Sequence, residues 1–368
     1  MVSAFGILII ICGFKGGRII SSSKYDYYRN LDKSFGKYYS MEESIQKDAL
    51  YSVNEKKRDK YLAQAMVRSL KDPYSTYYTK DEYEKLERMY SDSYSGIGIA
   101  LKSQGGKLIV SHVIKDSPAQ KGGLRKGDEI ISVDDQKPKS VQNASDLISG
   151  ETGTDVTLEL NRGGQTITVT LTREEVEEDS VDYKFLHSDS GKKIGYIRIR
   201  HFREGTSDEF QKSIEAMEDG KPKGVIVDVR NNPGGIKDEG VKCADALLSA
   251  GNILIEKNKS GEKKVSKADG KSADFKYVIL VNGKTASAAE IFAGAIQVND
   301  GGKLIGKKTY GKGVIQSVIQ MDDGSAFKFT TEEYFLPDGT AINGKGIQPD
   351  IRAASQNALK KGMEELSK

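Results

Sequence analysis

The stretch Tyr277–Val298, YVILVNGKTASAAEIFAGAIQV, changes periodicity partway along. Its first five residues are an unbroken apolar run of strand length, as expected for a strand covered on both faces, and Asn282-Gly283 ends it. From Ser287 onward Ile291, Phe292, Ala295 and Ile296 recur at helical spacing, which predicts a helix over Ser287–Val298. A buried strand feeding a helix is the repeating unit of an α/β core. The upstream sequence repeats it, with strand Ile194–Arg200, helix Thr206–Met217, strand Gly224–Val229 and helix Glu239–Ser249. These elements predict a βαβα core whose strands run mostly parallel.

Further out the texture changes. Residues 22–90 are polar with helical spacing at Tyr61, Leu62, Met66 and Leu70; Asp72-Pro73 is a stop, and a second amphipathic helix covers Lys80–Met89. From Ser95 to Thr172 short apolar runs alternate and are broken by glycine, the signature of strands. The Lys-rich segment Glu256–Lys271 reads as a solvated loop.

With 368 residues the chain has room for two or three domains at roughly 100–200 residues each. Fifty-six Lys and Arg against 53 Asp and Glu leave +3, so bulk charge gives no support for nucleic-acid binding. Cys12 and Cys243 cannot build a disulfide framework or a Cys-rich zinc site. His112, His187 and His201 have no metal-ligand spacing and offer little for a His-based triad. The chemistry is therefore expected to run without metal and without histidine. The apolar run Val2–Phe14 would span about 20 Å as a helix, short of the roughly 30 Å hydrocarbon core. It reads as an N-terminal anchor or export signal whose start is missing, or as a buried strand; the first reading is favoured, because a folded domain rarely starts with its most apolar run.

Three segments carry candidate chemistry. Ser287 sits where a strand gives way to a helix, its Oγ near orphan amides and the positive end of the helix dipole. The plain alternative is an N-cap, with Glu290 three residues on completing a capping box. A serine nucleophile needs a base, and TYGKGVIQ (Thr309–Gln316) encloses Lys312 between two glycines beside an apolar pair. Burial there would favour the neutral amine, although a solvated turn lysine fits the same residues. Gln316 falls on the same strand face as Lys312 and could orient its amine. In GVIVDVRNNPGG (Gly224–Gly235) a buried strand runs into a turn whose amides could form an oxyanion hole. GGKLIGK (Gly301–Lys307) only mimics a P-loop, since Lys308 stands where Ser or Thr must hold Mg²⁺. Earlier in the chain, SGIGIAL (Ser95–Leu101) places Gly96 and Gly98 at the start of a strand, where amides can form a nest for a carboxylate.

SGIGIAL, followed by SPAQKGGLRKGDEIISVD (Ser117–Asp134) and the strands around Gly163-Gly164, resembles a PDZ domain of the order found in bacterial secreted proteases. The resemblance implies a peptide added as an extra strand at the Gly98–Leu101 edge, its C-terminal carboxylate held around Gly96, Ile97, Gly98 and Ile99. DPYSTYYT (Asp72–Thr79), DVRNNPGG (Asp228–Gly235), TASAAEIFAGAIQVND (Thr285–Asp300), TYGKGVIQ and EYFLPDGTAINGKGIQPDI (Glu333–Ile351) together resemble the carboxyl-terminal processing peptidases. These are tail-specific serine proteases with a Ser–Lys dyad.

That resemblance implies Ser287 as nucleophile, Lys312 as general base, Gln316 as its positioner, and an oxyanion hole from an amide in Gly234-Gly235 plus that of Ala288. It also implies a crotonase-like α/β core with an inserted mainly-β PDZ domain and N-terminal helices. The expected division is an anchor or signal over 1–21, helices over 22–90, PDZ domain over 91–175, protease core over 176–352 and a helical tail over 353–368. Expected partners are proteins or peptides with free C-termini. The chain would act outside the cytoplasm, secreted or membrane-associated through its N-terminus, at the bacterial periplasm or the outer face of the cell membrane. The helices of 22–90 would suit a homodimer or a packed cap equally. Two rival functions are a catalytically inactive PDZ scaffold and a Ser–Lys amidase or esterase. The first would have no need of Ser287, Lys312 and Gln316, and the second no need of a PDZ domain.

Overall fold

The computed structural model describes residues 21–90, 93–177 and 179–368, in one unit ending at Met66 and a second spanning Val67–Lys368. The run Val2–Phe14, read above as an anchor or signal, lies outside the described residues. No described helix is long and apolar enough to cross a membrane. In the first unit α1 (Ser22–Asp48) starts on Ser21, whose Oγ accepts the Lys24 N–H, and buries none of its residues. Arg58, on α2 (Glu55–Arg68), pairs with Glu42 of α1.

The second unit begins with β1 (Thr76–Tyr78) and α3 (Lys80–Tyr90). A five-stranded antiparallel sheet follows in the order β3-β4-β5-β6-β7 (Ile99–Gln104, Lys107–Val113, Glu129–Val133, Asp155–Arg162, Gln165–Thr172). Two helices, α4 (Pro118–Lys121) and α5 (Val141–Ile148), complete this module. Strict alternation along β6 turns Val156, Leu158 and Leu160 into a core shared with Ile97, Val110 and Ala144. The chain enters and leaves through a small two-stranded sheet of β2 (Ser93–Gly96) and β8 (Glu174–Glu177).

The remainder forms the α/β core. Its elements are β9 (Val181–His187), β10 (Lys193–Ile199), α6 (Thr206–Gly220), β11 (Val225–Asp228), α7 (Lys237–Asp245), β12 (Asn252–Asn258), β13 (Lys263–Lys267), β14 (Tyr277–Val281), α8 (Ala288–Val298), β15 (Lys303–Gly306), β16 (Val314–Gln320), β17 (Ala326–Phe335), β18 (Ile351–Arg352) and α9 (Ser355–Ser367). Six strands form a sheet in the order β18-β15-β14-β11-β10-β9, parallel except for the β9–β10 pair. Val225, Val227, Ile279 and Val281 face the larger core, with Phe210 of α6, Cys243 of α7 and Phe292 of α8. Ile226, Val278 and Leu280 face Ala358 and Leu366 of α9. Cover on both faces explains why these strands read as unbroken apolar runs. Helix α8 is apolar nearly all round because every residue from Ala288 to Ile296 is buried.

A second, antiparallel sheet runs β1-β17-β12-β13, with β16 also paired to β17. This corrects the reading of Glu256–Lys271 as a solvated loop, because most of it lies in the β12–β13 hairpin. Ile253, Leu254 and Glu256 are buried while most of β13 is exposed. Lysines along a sheet edge repel further strands, so the charge run marks an edge strand. Helix α7 also ends at Asp245, four residues before the predicted Ser249.

Candidate active site

Two loops meet above the ends of β11 and β14, and their polar side chains tie them together. Asn282 Oδ1 accepts the Asn231 N–H at 3.1 Å, and its amide nitrogen donates to Asn231 Oδ1 at 3.0 Å. Thr285 Oγ1 donates to the Val229 carbonyl at 2.8 Å, and the Ala286 N–H reaches the Asn232 carbonyl at 3.0 Å. The strand end beneath is anchored by buried Asp228, which accepts from Tyr196 Oη at 2.8 Å and from Arg230 Nε at 2.8 Å. Arg230 in turn donates to the Ser355 carbonyl at the start of α9. The Asn-rich and Arg-bearing motif thus aligns a turn with the Ser287 loop.

In that turn Gly234 has φ +96° and Gly235 φ +141°, both disfavoured for a side chain. A Cβ on Gly234 would stand 2.8 Å from Ser287 Cβ and 2.9 Å from the Ala288 nitrogen; one on Gly235 would stand 2.1 Å from the Phe202 carbonyl oxygen. Glycine is required here for close approach of backbone to Ser287. The Gly234 N–H is already bound to Asn232 Oδ1 at 2.8 Å. Gly235 is bracketed by the Phe202 N–H to Gly234 carbonyl and the Ile236 N–H to Phe202 carbonyl bonds, neither of which uses its own N–H. Ala288 is the first residue of α8, so its N–H has no partner within the helix.

Ser287 has φ +55° and ψ −122°, outside the extended conformation of an ordinary N-cap. Such a backbone costs about 1–3 kcal/mol and persists only where its surroundings hold it. Glu290 does much of the holding. Its buried carboxylate accepts the Ser287 N–H at 3.0 Å, the Lys312 N–H at 2.9 Å, the Gly311 N–H at 2.7 Å and the Thr309 hydroxyl at 2.5 Å. Burial pushes its pKa above the usual carboxylate value, opposed by those four donors. Tyr334, buried on β17, adds a second link: its hydroxyl lies 3.2 Å from the Ser287 carbonyl and 2.5 Å from that of Lys312. One carboxylate and one phenol therefore join the two segments that carry Ser287 and Lys312.

Lys312 is partly buried, and its pKa is lowered first by desolvation and then by the charge of Lys328; Asp72 and Glu290 act in the opposite direction. Its Nζ lies 5.2 Å from the centre of the Tyr74 ring. Among the described residues no hydrogen bond joins that Nζ to Ser287 Oγ. Gln316 lies on β16, past a register shift at Ile315/Gln316, and its amide donates to Thr330 Oγ1 at 3.5 Å. The sequence reading treated Glu290 only as half of a capping box and missed Tyr334 altogether. The Glu at the third helical position was a signal for the first; a tyrosine in a strand gave none for the second.

The peptide-binding candidates lie in the β-module. The Ile97 and Gly98 carbonyls accept the Ala119 N–H at 2.8 Å and the Ile114 N–H at 2.9 Å, so both are turned into the module. Ile99 opens β3, an edge strand paired only to β4 in this sheet. Gly96 ends β2, paired with Glu174.

A PDZ module leading into a parallel α/β core with this serine loop defines a class, and comparison with known proteins agrees. The PDZ domain family matches residues 95–172, and Peptidase family S41 matches residues 193–353. The chain belongs to Peptidase family S41 and carries a PDZ domain. It is 36% identical over 327 residues to the carboxy-terminal processing protease CtpA of Bacillus subtilis, covering 88% of this chain and 69% of that protein. The CtpA-like serine protease of Staphylococcus haemolyticus is also 36% identical, over 297 residues; the match covers 79% of this chain and spans only 59% of the relative's length. Among solved structures, the photosystem II D1 C-terminal processing protease aligns over 95% of this chain and 98% of its own, at 27% identity and a TM-score of 0.55.

Proposed function

We propose that this chain is a serine endopeptidase that captures protein C-terminal tails on its PDZ domain and cleaves them through an acyl-enzyme on Ser287. Lys312, as a neutral amine, takes the Ser287 proton during attack and returns it to the leaving amine. The N–H groups of Gly235 and Ala288 face the oxyanion, and Gln316 orients the lysine amine once substrate is bound. The Gly96–Ile99 segment holds the tail, its amides on the carboxylate and β3 on the backbone. No cofactor enters this chemistry.

The division into a segment 1–21, helices 22–90, PDZ domain 91–175, core 176–352 and tail 353–368 belongs to the same proposal. So does extracytoplasmic residence with Val2–Phe14 as anchor or export signal, for which the apolarity of that run is the support. The observation that carries the catalytic reading is the double link of Glu290 and Tyr334 between the Ser287 and Lys312 segments. The Ser287 N–H to Glu290 bond belongs to a capping box, but a cap has no need of the bonds from Glu290 and Tyr334 to the Lys312 segment.

The test is incubation with unfolded proteins that differ only in their last residues, using Ser287→Ala as control. Cleavage that depends on the tail and disappears in the control is expected. Tail-independent turnover of small esters alone would favour the amidase or esterase reading.

A further inference from the structure

The segment DPYSTYYT precedes the PDZ module in sequence, yet it lies against β17 and Lys312. Asp72 Oδ2 accepts the Thr330 hydroxyl of β17 at 2.7 Å, and Thr330 Oγ1 is also the acceptor for the Gln316 amide. Asp72 closes its own turn through the Ser75 hydroxyl at 2.5 Å and the Tyr74 N–H at 3.1 Å. Immediately afterwards β1 pairs with β17 in the register Thr76↔Lys328, Tyr77↔Phe327 and Tyr78↔Ala326. Both ends of Tyr74 are thereby fixed, with its ring 5.2 Å from Lys312 Nζ. Tyr78 places its ring 5.5 Å from Nζ of Lys328. Two tyrosines of one segment thus face two neighbouring lysines.

We infer that Tyr74 is a positioning residue for the general base: its ring face holds Lys312 in a resting place as an ammonium, and the lysine is released from the ring once it has given up that proton, free as a neutral amine to take one from Ser287. The inference rests on the proposed role of Lys312. A cation within about 6 Å of an aromatic centroid is attracted to the ring face, and a neutral amine is not. The ring therefore opposes desolvation and the repulsion from Lys328, acting in the same direction as Asp72 and Glu290. Tyr310 also faces this group of side chains through Tyr74. The balance sets how readily Lys312 gives up its proton, and a segment that precedes the PDZ module in sequence contributes to it.

The test replaces Tyr74 by Phe, by Leu, and by phenylalanines bearing one to three ring fluorines, which weaken the face potential with little change of shape. The titration of Lys312 is followed by NMR of ¹³Cε-labelled lysine, assigned with Lys312→Ala, alongside the pH profile of kcat/KM. Tyr74→Phe should leave the titration in place. Stepwise fluorination should move it stepwise to lower pH, and Tyr74→Leu by about 0.5–1 unit. An unmoved titration across the fluorinated series overturns the proposal, and that series remains informative if Tyr74→Leu does not fold. Equal shifts for Tyr74→Phe and Tyr74→Leu would also overturn it, since the hydroxyl would then be what acts. A titration that moves while the kinetic limb stays fixed supports the role of Tyr74 and counts instead against Lys312 as the base.

Discussion

At the scale of single residues, the proposed chemistry needs a lysine that loses its proton and a glutamate that keeps its place. Desolvation and Lys328 lower the Lys312 pKa from its ordinary value of 10.5. Activity should therefore rise with pH through a limb below that value, since in the proposed mechanism only the neutral amine accepts the Ser287 proton. A kcat/KM profile flat from neutral to mildly alkaline pH, with chemistry rate-limiting, would contradict this. The same shift affects stability: because the folded pKa lies below the unfolded one, the charged lysine costs the fold at neutral pH. That cost is relieved as pH rises through the folded pKa towards the unfolded one.

Glu290 makes a sharper prediction. All four of its partners are donors, so a carboxylate satisfies them and an amide turns an NH₂ onto at least one. Glu290→Gln should lower kcat more than tenfold, about 1.4 kcal/mol or more in the transition state, and lower Tm as well. Wild-type kcat in this variant would mean that the link between the Ser287 and Lys312 segments does not position the dyad.

At the scale of elements, the β-module has its own internal anchor. Buried Asp128 accepts from Arg162 Nε at 2.7 Å and from the Arg125 N–H at 2.7 Å, and its pKa is lowered chiefly by the bond to Arg162. Its contribution is present above the unfolded carboxylate pKa and is lost as pH falls through the folded one. Asp128→Asn should cost about 1.5–3 kcal/mol, read as a lower urea midpoint for the module. Turnover of peptides too short to reach it should stay unchanged; a fall equal to that on long substrates would mean that the module also shapes the Ser287 site.

The elements also show where sequence was informative and where it was not. Parallel strands were legible because burial on both faces leaves only apolar residues, as in Tyr277–Val281. The β12–β13 hairpin was not, because an edge strand carries its lysines outward and looks like solvent-exposed coil. Ser287, Lys312 and the glycine turn could be picked out by residue type and spacing. Asn231 and Asn282 could not be given roles, since they lie about fifty positions apart and only the sheet brings them together. Tyr74 was hidden for the same reason: a tyrosine after Asp-Pro reads as a turn until β1 pairs with β17.

At the scale of the whole molecule, tail capture and cleavage are proposed to occur on separate modules of one chain. A long peptide reaching both should lose kcat/KM when its C-terminal carboxylate is amidated, because a neutral NH₂ cannot replace charge-assisted bonds of about 1.5–3 kcal/mol each. A short peptide bound only near Ser287 should be indifferent. Equal values for the acid and amide forms of the long peptide would show that the module reads side chains or internal segments.

The most direct test of the central claim is intact-protein mass spectrometry of the enzyme quenched in acid during turnover of such a peptide, followed by digestion to locate any adduct. The account predicts a mass increase equal to the N-terminal product acyl group, mapped to Ser287, and absent together with cleavage in Ser287→Ala. Cleavage that persists in Ser287→Ala, or an adduct on another residue, would contradict it.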